Sequence, residues 1–248
     1  MIIVGDIGNT ETKICLVNSY NKIIKRITLN TQKINFILLK KSISSLVLKD
    51  TIIKKCLFCS VVPEVFKITK LFFNKNYKLK CYELKTLNLS TLIKIKVNYK
   101  QIGSDRLANA ISVVNNKNNF IILDFGTATT FDVLVKKTYK GGVIAPGVKL
   151  SLNTLSNKAT LIPNINLKKT NKVIGSNTIN AVRSGFFWGY AGLIDNIVNL
   201  IKKETKKSFK IIITGGFANL FKKSINTKVI PNRDITINGL IKASRLIK

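Results

Sequence analysis

Apolar positions along this chain fall into short runs separated by polar breaks, and the runs form two matched series. In the first, Ile2–Asp6, Lys13–Val17 and Ile23–Leu29 have the length and alternation of strands. Ile34–Val47 carries apolar residues at helical spacing, and a strand lies within Ile52–Val62. Pro63 suits the first turn of a helix reaching about Phe73. A strand near Leu79–Leu84 follows. Next comes a helix in which Leu107, Ala108, Ile111 and Val114 recur on one face, with Ser104 placed to cap it.

The polar stretch from Asn115 to Asn119 reads as a linker, and the scheme then repeats. Strands are expected at Phe120–Asp124, Thr130–Val135 and Tyr139–Ile144, then a helix after Pro146 and a long one from about Thr178 to Lys203. Strand Lys210–Thr214, a helix from Phe217, a short strand near Val229 and a last helix after Gly239 complete the series. Asn157–Ser176 is polar, rich in lysine and without period; such a loop is either a surface excursion or part of an active-site wall. Three antiparallel strands followed by alternating helices and parallel strands, twice over, predict a duplicated α/β architecture. Its lobes are expected at residues 1–117 and 118–248.

The same turn opens each series. Asp6-Ile7-Gly8-Asn9-Thr10 and Asp124-Phe125-Gly126-Thr127 both end an apolar strand and precede a returning one, 118 residues apart. A tight turn of this kind aims backbone N–H groups at one point, and its carboxylate can hold a cation there. Gly8 lets the backbone approach a phosphate, while Asn9, Thr10 and Lys13 offer donors. A plain hairpin explains either turn alone. A matched pair, facing each other, would grip a nucleotide's phosphates from both sides.

Composition changes this picture little. The formal charge is +31, from 42 basic residues against 11 acidic ones. Only Arg26, Arg106, Arg183, Arg233 and Arg245 are arginines, and the lysines are spread evenly among Ile and Asn. Dedicated nucleic-acid surfaces cluster their charge and favour Arg, so no specific nucleic-acid partner is expected, although non-specific affinity at low salt follows from the charge. Against this background Asp6, Asp105, Asp124 and Asp132 stand out, each in or beside a polar turn. There is no histidine to compete as a proton acceptor. Cys56 and Cys59 have C-x-x-C spacing but lie in an apolar strand with no second pair, and read as buried thiols rather than a metal or redox site. The N-terminus enters a strand directly and no run approaches a membrane span, so a soluble cytoplasmic protein is expected.

Five blocks carry a resemblance. They are D-I-G-N-T-E-T-K from Asp6, G-S-D-R from Gly103, D-F-G-T-A-T-T-F-D from Asp124, G-G-V-I-A-P-G from Gly141 and G-S-N-T-I-N-A-V-R-S-G from Gly175. Ser60-Val61-Val62-Pro63 and Thr214-Gly215-Gly216 add to them. In order and spacing the chain resembles the type III pantothenate kinases of the acetate and sugar kinase/Hsp70/actin superfamily. The resemblance implies a duplicated actin-like (ribonuclease H-like) fold, each lobe a mixed five-stranded sheet flanked by helices. It implies ATP-dependent phosphorylation of pantothenate to 4'-phosphopantothenate, the first step toward coenzyme A, by a homodimer.

Residue by residue, the resemblance implies that Asp105 takes the substrate's hydroxyl proton and that Arg106 meets the pantothenate carboxylate or the transferring phosphoryl group. Gly103, Ser104 and Thr178 would contact substrate. Asp6, Gly8, Asn9, Thr10, Lys13 and Thr127 would bind ATP, with magnesium on Asp6, through water, and potassium or ammonium on Asp124. Before Gly103 the family often has a tyrosine and an Asn-Pro turn. Here Val97–Ile102 lacks the proline, and Tyr99 is placed to fill the tyrosine's position. Each residue also has a local reading: Asp105 suits a helix N-terminus, Thr178 an N-cap, and Gly215-Gly216 a strand-to-helix turn. A non-catalytic regulator and a kinase for another small substrate are the alternatives.

Overall fold

The computed structural model describes residues 1–47 and 51–247; residues 48–50 and 248 belong to the expected lobes but lie outside the described residues. In chain order the elements are β1 (Ile2–Ile7), β2 (Glu11–Val17), β3 (Ile23–Asn30), α1 (Phe36–Leu46), β4 (Lys55–Ser60), α2 (Pro63–Tyr77), β5 (Cys81–Glu83), β6 (Lys94–Ile95) and α3 (Ser104–Val113). They continue as β7 (Phe120–Phe125), β8 (Ala128–Val135), β9 (Thr138–Pro146), α4 (Val148–Lys158), α5 (Thr178–Thr205), β10 (Lys210–Gly215), α6 (Ala218–Phe221), β11 (Val229–Pro231) and α7 (Ile235–Ala243). The chain divides into two compact units. One holds Met1–Val114, Lys137–Tyr139 and Asp234–Lys248; the other holds Asn115–Lys136 and Lys140–Arg233. The first unit's opening stretch ends at Val114, and α7 belongs to that unit as well.

The first unit is built on a sheet of order β3-β2-β1-β4-β5. β1 and β2 are antiparallel, as are β2 and β3, whereas β1, β4 and β5 run parallel. Alternation puts Ile3, Ile7, Ile14, Leu16, Cys56 and Phe58 on one face, in a core with Leu39 and Ile43 of α1 and Phe72 and Phe73 of α2. α3 and α7 pack against each other closely. At Gly239 a Cβ would stand 1.8 Å from the carbonyl oxygen of Ala108, so only glycine allows this approach. The expected helix after Gly239 therefore starts earlier, at Ile235, and Gly239 is its contact point with α3. Thr236 donates to Asn109 Oδ1 at 2.7 Å, and Arg26 of β3 pairs with Asp234 at 2.6 Å, so the start of α7 is tied down twice.

The second unit's strands run in the order β11-β10-β7-β8-β9. β7 and β8 are antiparallel; β10 is parallel to β7 and to β11. Five strands were expected and these are the five. The two-residue β6 pairs in parallel with Thr138 and Tyr139, all four residues belonging to the first unit. Ile121, Leu123, Phe131 and Ile213 form a core with Phe187, Ile194 and Val198 of α5. The segment between α4 and α5 has no regular structure, as its lack of period predicts. No helix among the described residues is long and apolar enough to cross a membrane.

Candidate active site

Asp6 sits one residue from the end of β1. The hairpin beyond it closes through Gly8 N–H to Glu11 O at 3.0 Å, which leaves Asn9 and Thr10 exposed at the tip. The tip is held from beneath by a residue that the sequence reading did not select. Thr31, buried just after β3, donates its hydroxyl to Gly8 O at 2.8 Å and its N–H to Thr10 O at 3.0 Å. Its Oγ1 also lies 3.0 Å from that of buried Thr12. A hydroxyl after a strand carries no local signal of this, because its partners are some twenty residues away.

Asp6 pairs in register with Lys13 on β2 and with Cys59 on β4, so these three side chains share the sheet face opposite the apolar core. The Cys59 thiol donates to Asp6 Oδ1 at 3.3 Å. Burial first, and then the Asp105 carboxylate, push the Asp6 carboxyl up to about 6, against the thiol and the Lys13 ammonium, which hold it down. The same surroundings push the Cys59 thiol well up, burial foremost and then Asp6 and Asp105. Cys59 is thus an inert, protonated thiol, as expected, with a polar task that its C-x-x-C spacing did not reveal. Cys56 faces the core instead, its sulfur 3.3 Å from that of Cys81. Asp6 and Asp105, 99 residues apart in sequence, stand within electrostatic reach of each other.

Asp105 and Arg106 occupy the first turn of α3, both half-buried. Ser104 does not cap this helix. It is already helical, Gly103 holds the N-cap position without a side-chain bond, and the buried Ser104 hydroxyl donates to Glu83 Oε1. Glu83 offers that hydroxyl a carboxylate oxygen as acceptor, whereas the helix end presents only N–H donors. The Asp105 carboxyl folds back over Gly103, where a Cβ would come within 2.4 Å of Oδ1. Tyr99 lies in a single 3₁₀ turn, its hydroxyl donated to Lys85 O at 3.0 Å and its ring 5.3 Å from the Lys85 ammonium. It also lines a cavity of about 510 Å³ with Leu87, Leu89 and Ile93.

The second unit repeats the turn with one residue fewer. Gly126 N–H bonds to Ala128 O at 3.0 Å, and Asp124 pairs with Thr130 where Asp6 pairs with Lys13. A threonine therefore stands where the first turn has its lysine. Asp124, Thr130 and Thr214 share one sheet face, and Asp132, on the same face, is fully buried. Thr129 faces the core and its buried hydroxyl makes no hydrogen bond. Thr127 is exposed, but its backbone is pressed from behind. A Cβ at Gly147 would come 2.0 Å from Thr127 O, so the glycine after β9 lets α4 begin against the turn. Thr178 is the first residue of α5 and exposed; Asn177 is the N-cap, accepting from Asn180 N–H at 2.9 Å. Gly215 adopts φ +87°, the positive value expected of that turn.

The family model for type III pantothenate kinase matches residues 2–200. A type III pantothenate kinase of Pelagibacter ubique (strain HTCC1062) is 76% identical over 248 residues, covering all of both chains. The chain belongs to the type III pantothenate kinase family. A second member, from Sulfurihydrogenibium sp. (strain YO3AOP1), is 35% identical and aligns over 97% of this chain and 98% of its own. Among solved structures, a protein described as a Baf family transcriptional activator from Campylobacter jejuni superposes with a TM-score of 0.63 at 19% identity, covering 98% of this chain and 97% of that one. A ROK family glucokinase from Streptomyces griseus gives 0.57 at 11% identity over 99% and 98%. Such distant likenesses bear on the fold alone, and they agree with the two mixed sheets flanked by helices. Within the family frame, the residues expected at the site divide by unit. Asp6, Gly8, Asn9, Thr10, Lys13, Tyr99, Gly103, Ser104, Asp105 and Arg106 belong to the first, Asp124, Thr127 and Thr178 to the second.

Proposed function

We propose that this chain transfers the γ-phosphoryl group of ATP to the primary hydroxyl of pantothenate, giving 4'-phosphopantothenate. Membership of the family supports the substrate. The observation that supports the site is the approach of Asp6, beside a phosphate-type turn, to Asp105, at the start of a helix. Phosphoryl transfer needs a positioned hydroxyl, neutralised phosphate charge and a group to receive the hydroxyl proton. Asp105 accepts that proton. Arg106 pairs with the pantothenate carboxylate, a contact its planar fork suits. Gly103, Ser104 and Thr178 border the substrate.

The Gly8–Thr10 backbone, Asn9, Thr10, Lys13 and Thr127 hold ATP, with Thr31 and Gly147 fixing the backbone of the two turns. A carboxyl whose proton affinity is raised by burial and by a neighbouring carboxylate also suits a divalent cation, which relieves the same repulsion. Asp6 would hold magnesium through water, as that ion prefers one or two carboxylates with phosphate oxygens. When bound, magnesium supplies charge neutralisation at the phosphates. Asp124, with the Thr130 and Thr214 hydroxyls on its face, is an all-oxygen set that fits potassium or ammonium.

A homodimer is supported by one face of α5. Ala181, Gly185, Trp188, Gly189 and Gly192 are exposed there, and a Cβ added at any of the three glycines would meet nothing within 4 Å. The site of action is the cytoplasm, where coenzyme A is made. Production of ADP from ATP, dependent on pantothenate and stimulated by potassium, tests the reading, with Asp105→Asn as control. Wild-type protein no more active than that variant would favour a regulatory role. Preference for another small substrate in a panel would overturn pantothenate.

A further inference from the structure

The turn of helix that carries Asp105 and Arg106 is anchored from the side rather than capped. Glu83, the last residue of β5, receives the Ser104 hydroxyl on Oε1 and the Lys85 N–H on Oε2 at 2.7 Å. Lys85 then reaches over the chain that leads into α3, donating from Nζ to Lys100 O at 3.1 Å and Ile102 O at 3.0 Å. Tyr99 returns its hydroxyl to Lys85 O at 3.0 Å. Four side-chain bonds thus join the corner at residues 83–85 to the segment 99–104. The Thr86 hydroxyl, donated to Glu83 O at 2.7 Å, stiffens the corner itself. Leu84 at its centre is fully buried, and Glu83 pairs in register with Phe58, one residue before the Cys59 that donates to Asp6. The corner is therefore continuous with the strand pair that presents Asp6.

We propose that Glu83 is a positioning residue for catalysis: through Ser104 it sets where the first turn of α3 begins, and so where Asp105 stands relative to Asp6. This rests on the assignment of Asp105 as proton acceptor. Ser104 acts mainly as the helix's side anchor, and Tyr99 as a brace for Lys85. A misplacement of about 1 Å at a reacting group can lower turnover roughly 100-fold.

The test compares Glu83→Ala, Ser104→Ala, the double variant and Glu83→Gln by steady-state kinetics with ATP and pantothenate. Hydrogen exchange at the Leu107 amide, which bonds to Gly103 O, is read in parallel. Glu83→Ala is expected to lower kcat about 10- to 100-fold with KM for ATP changed less than about twofold. Ser104→Ala should match it, the double variant should be no worse, and Glu83→Gln, which keeps the Oε1 acceptor, should recover most of the rate. Leu107 exchange should quicken in Glu83→Ala. Losses that multiply in the double variant would overturn the proposal. So would a lowered Tm with kcat intact, or a Ser104→Ala effect confined to KM for pantothenate. Failure of the wild type to phosphorylate pantothenate would instead strike the assignment of Asp105, and the exchange measurement would still decide the anchoring.

Discussion

Replacing Asp6 by Asn should abolish activity and stabilise the fold. Burial and the Asp105 carboxylate raise the Asp6 carboxyl from 3.8 to about 6 in the folded protein. The folded state therefore binds this proton more tightly than the unfolded chain does. Stability from the protonated form is complete below about pH 3.8 and is lost as pH rises through about 6. Well above that, the ionised carboxylate costs roughly 3 kcal/mol, the rise from 3.8 to about 6 taken at 1.36 kcal/mol per pH unit. Asn keeps the shape and the Oδ1 acceptor for the Cys59 thiol but carries no charge. In metal-free protein with EDTA, Asp6→Asn should be more stable than wild type at pH 8 by up to about 3 kcal/mol. At about 2–4 °C per kcal/mol for a chain of this size, Tm rises by roughly 6–12 °C. At pH 4 the gap should shrink to about half a kcal/mol. Thermal unfolding at the two pH values, with the kinase assay at pH 8, measures all three. A variant no more stable than wild type at pH 8, or a gap that persists unchanged at pH 4, would refute the reasoning. Carboxyl NMR adds a check: Asp105→Asn should lower the Asp6 value only in part, because burial is the larger cause.

Gly239→Ala places a Cβ 1.8 Å from Ala108 O. It must part α7 from α3, costing about 1–3 kcal/mol or more and lowering kcat as the helix bearing Asp105 shifts; an unchanged Tm would contradict this. Gly147→Ala meets Thr127 O at 2.0 Å, so KM for ATP should rise more than Tm falls, and nucleotide titration against calorimetry separates the two. Thr31→Val keeps volume but removes the hydroxyl bonds to Gly8 O and Thr12. It should cost about 1–3 kcal/mol and weaken ATP binding, and urea unfolding with steady-state kinetics would show whether it does.

Much of this molecule was legible along the chain because its signals are local. Strand alternation set the inward faces of β1, β2, β7 and β8, and turn chemistry marked both Asp-x-Gly tips before any fold was known. Asp6 and Asp124 stand where those tips put them. The second turn's missing residue, which trades Lys13 for Thr130, was also readable in principle by aligning the two hairpins.

What escaped has a common cause. Ser104 suits a helix cap by local preference, but Glu83, twenty-one residues earlier, takes its hydroxyl. Gly239 looks like a helix start, yet close approach to Ala108 places it inside α7. Thr31 and Cys59 carry no local mark, and each acquires its role from a partner on another strand or turn. Period and propensity act over a few residues and determine which side chains face inward. Which inward groups meet depends on how strands far apart in sequence pair. That pairing, absent from any single window of sequence, together with the packing of α3, brought Asp105 within electrostatic reach of Asp6.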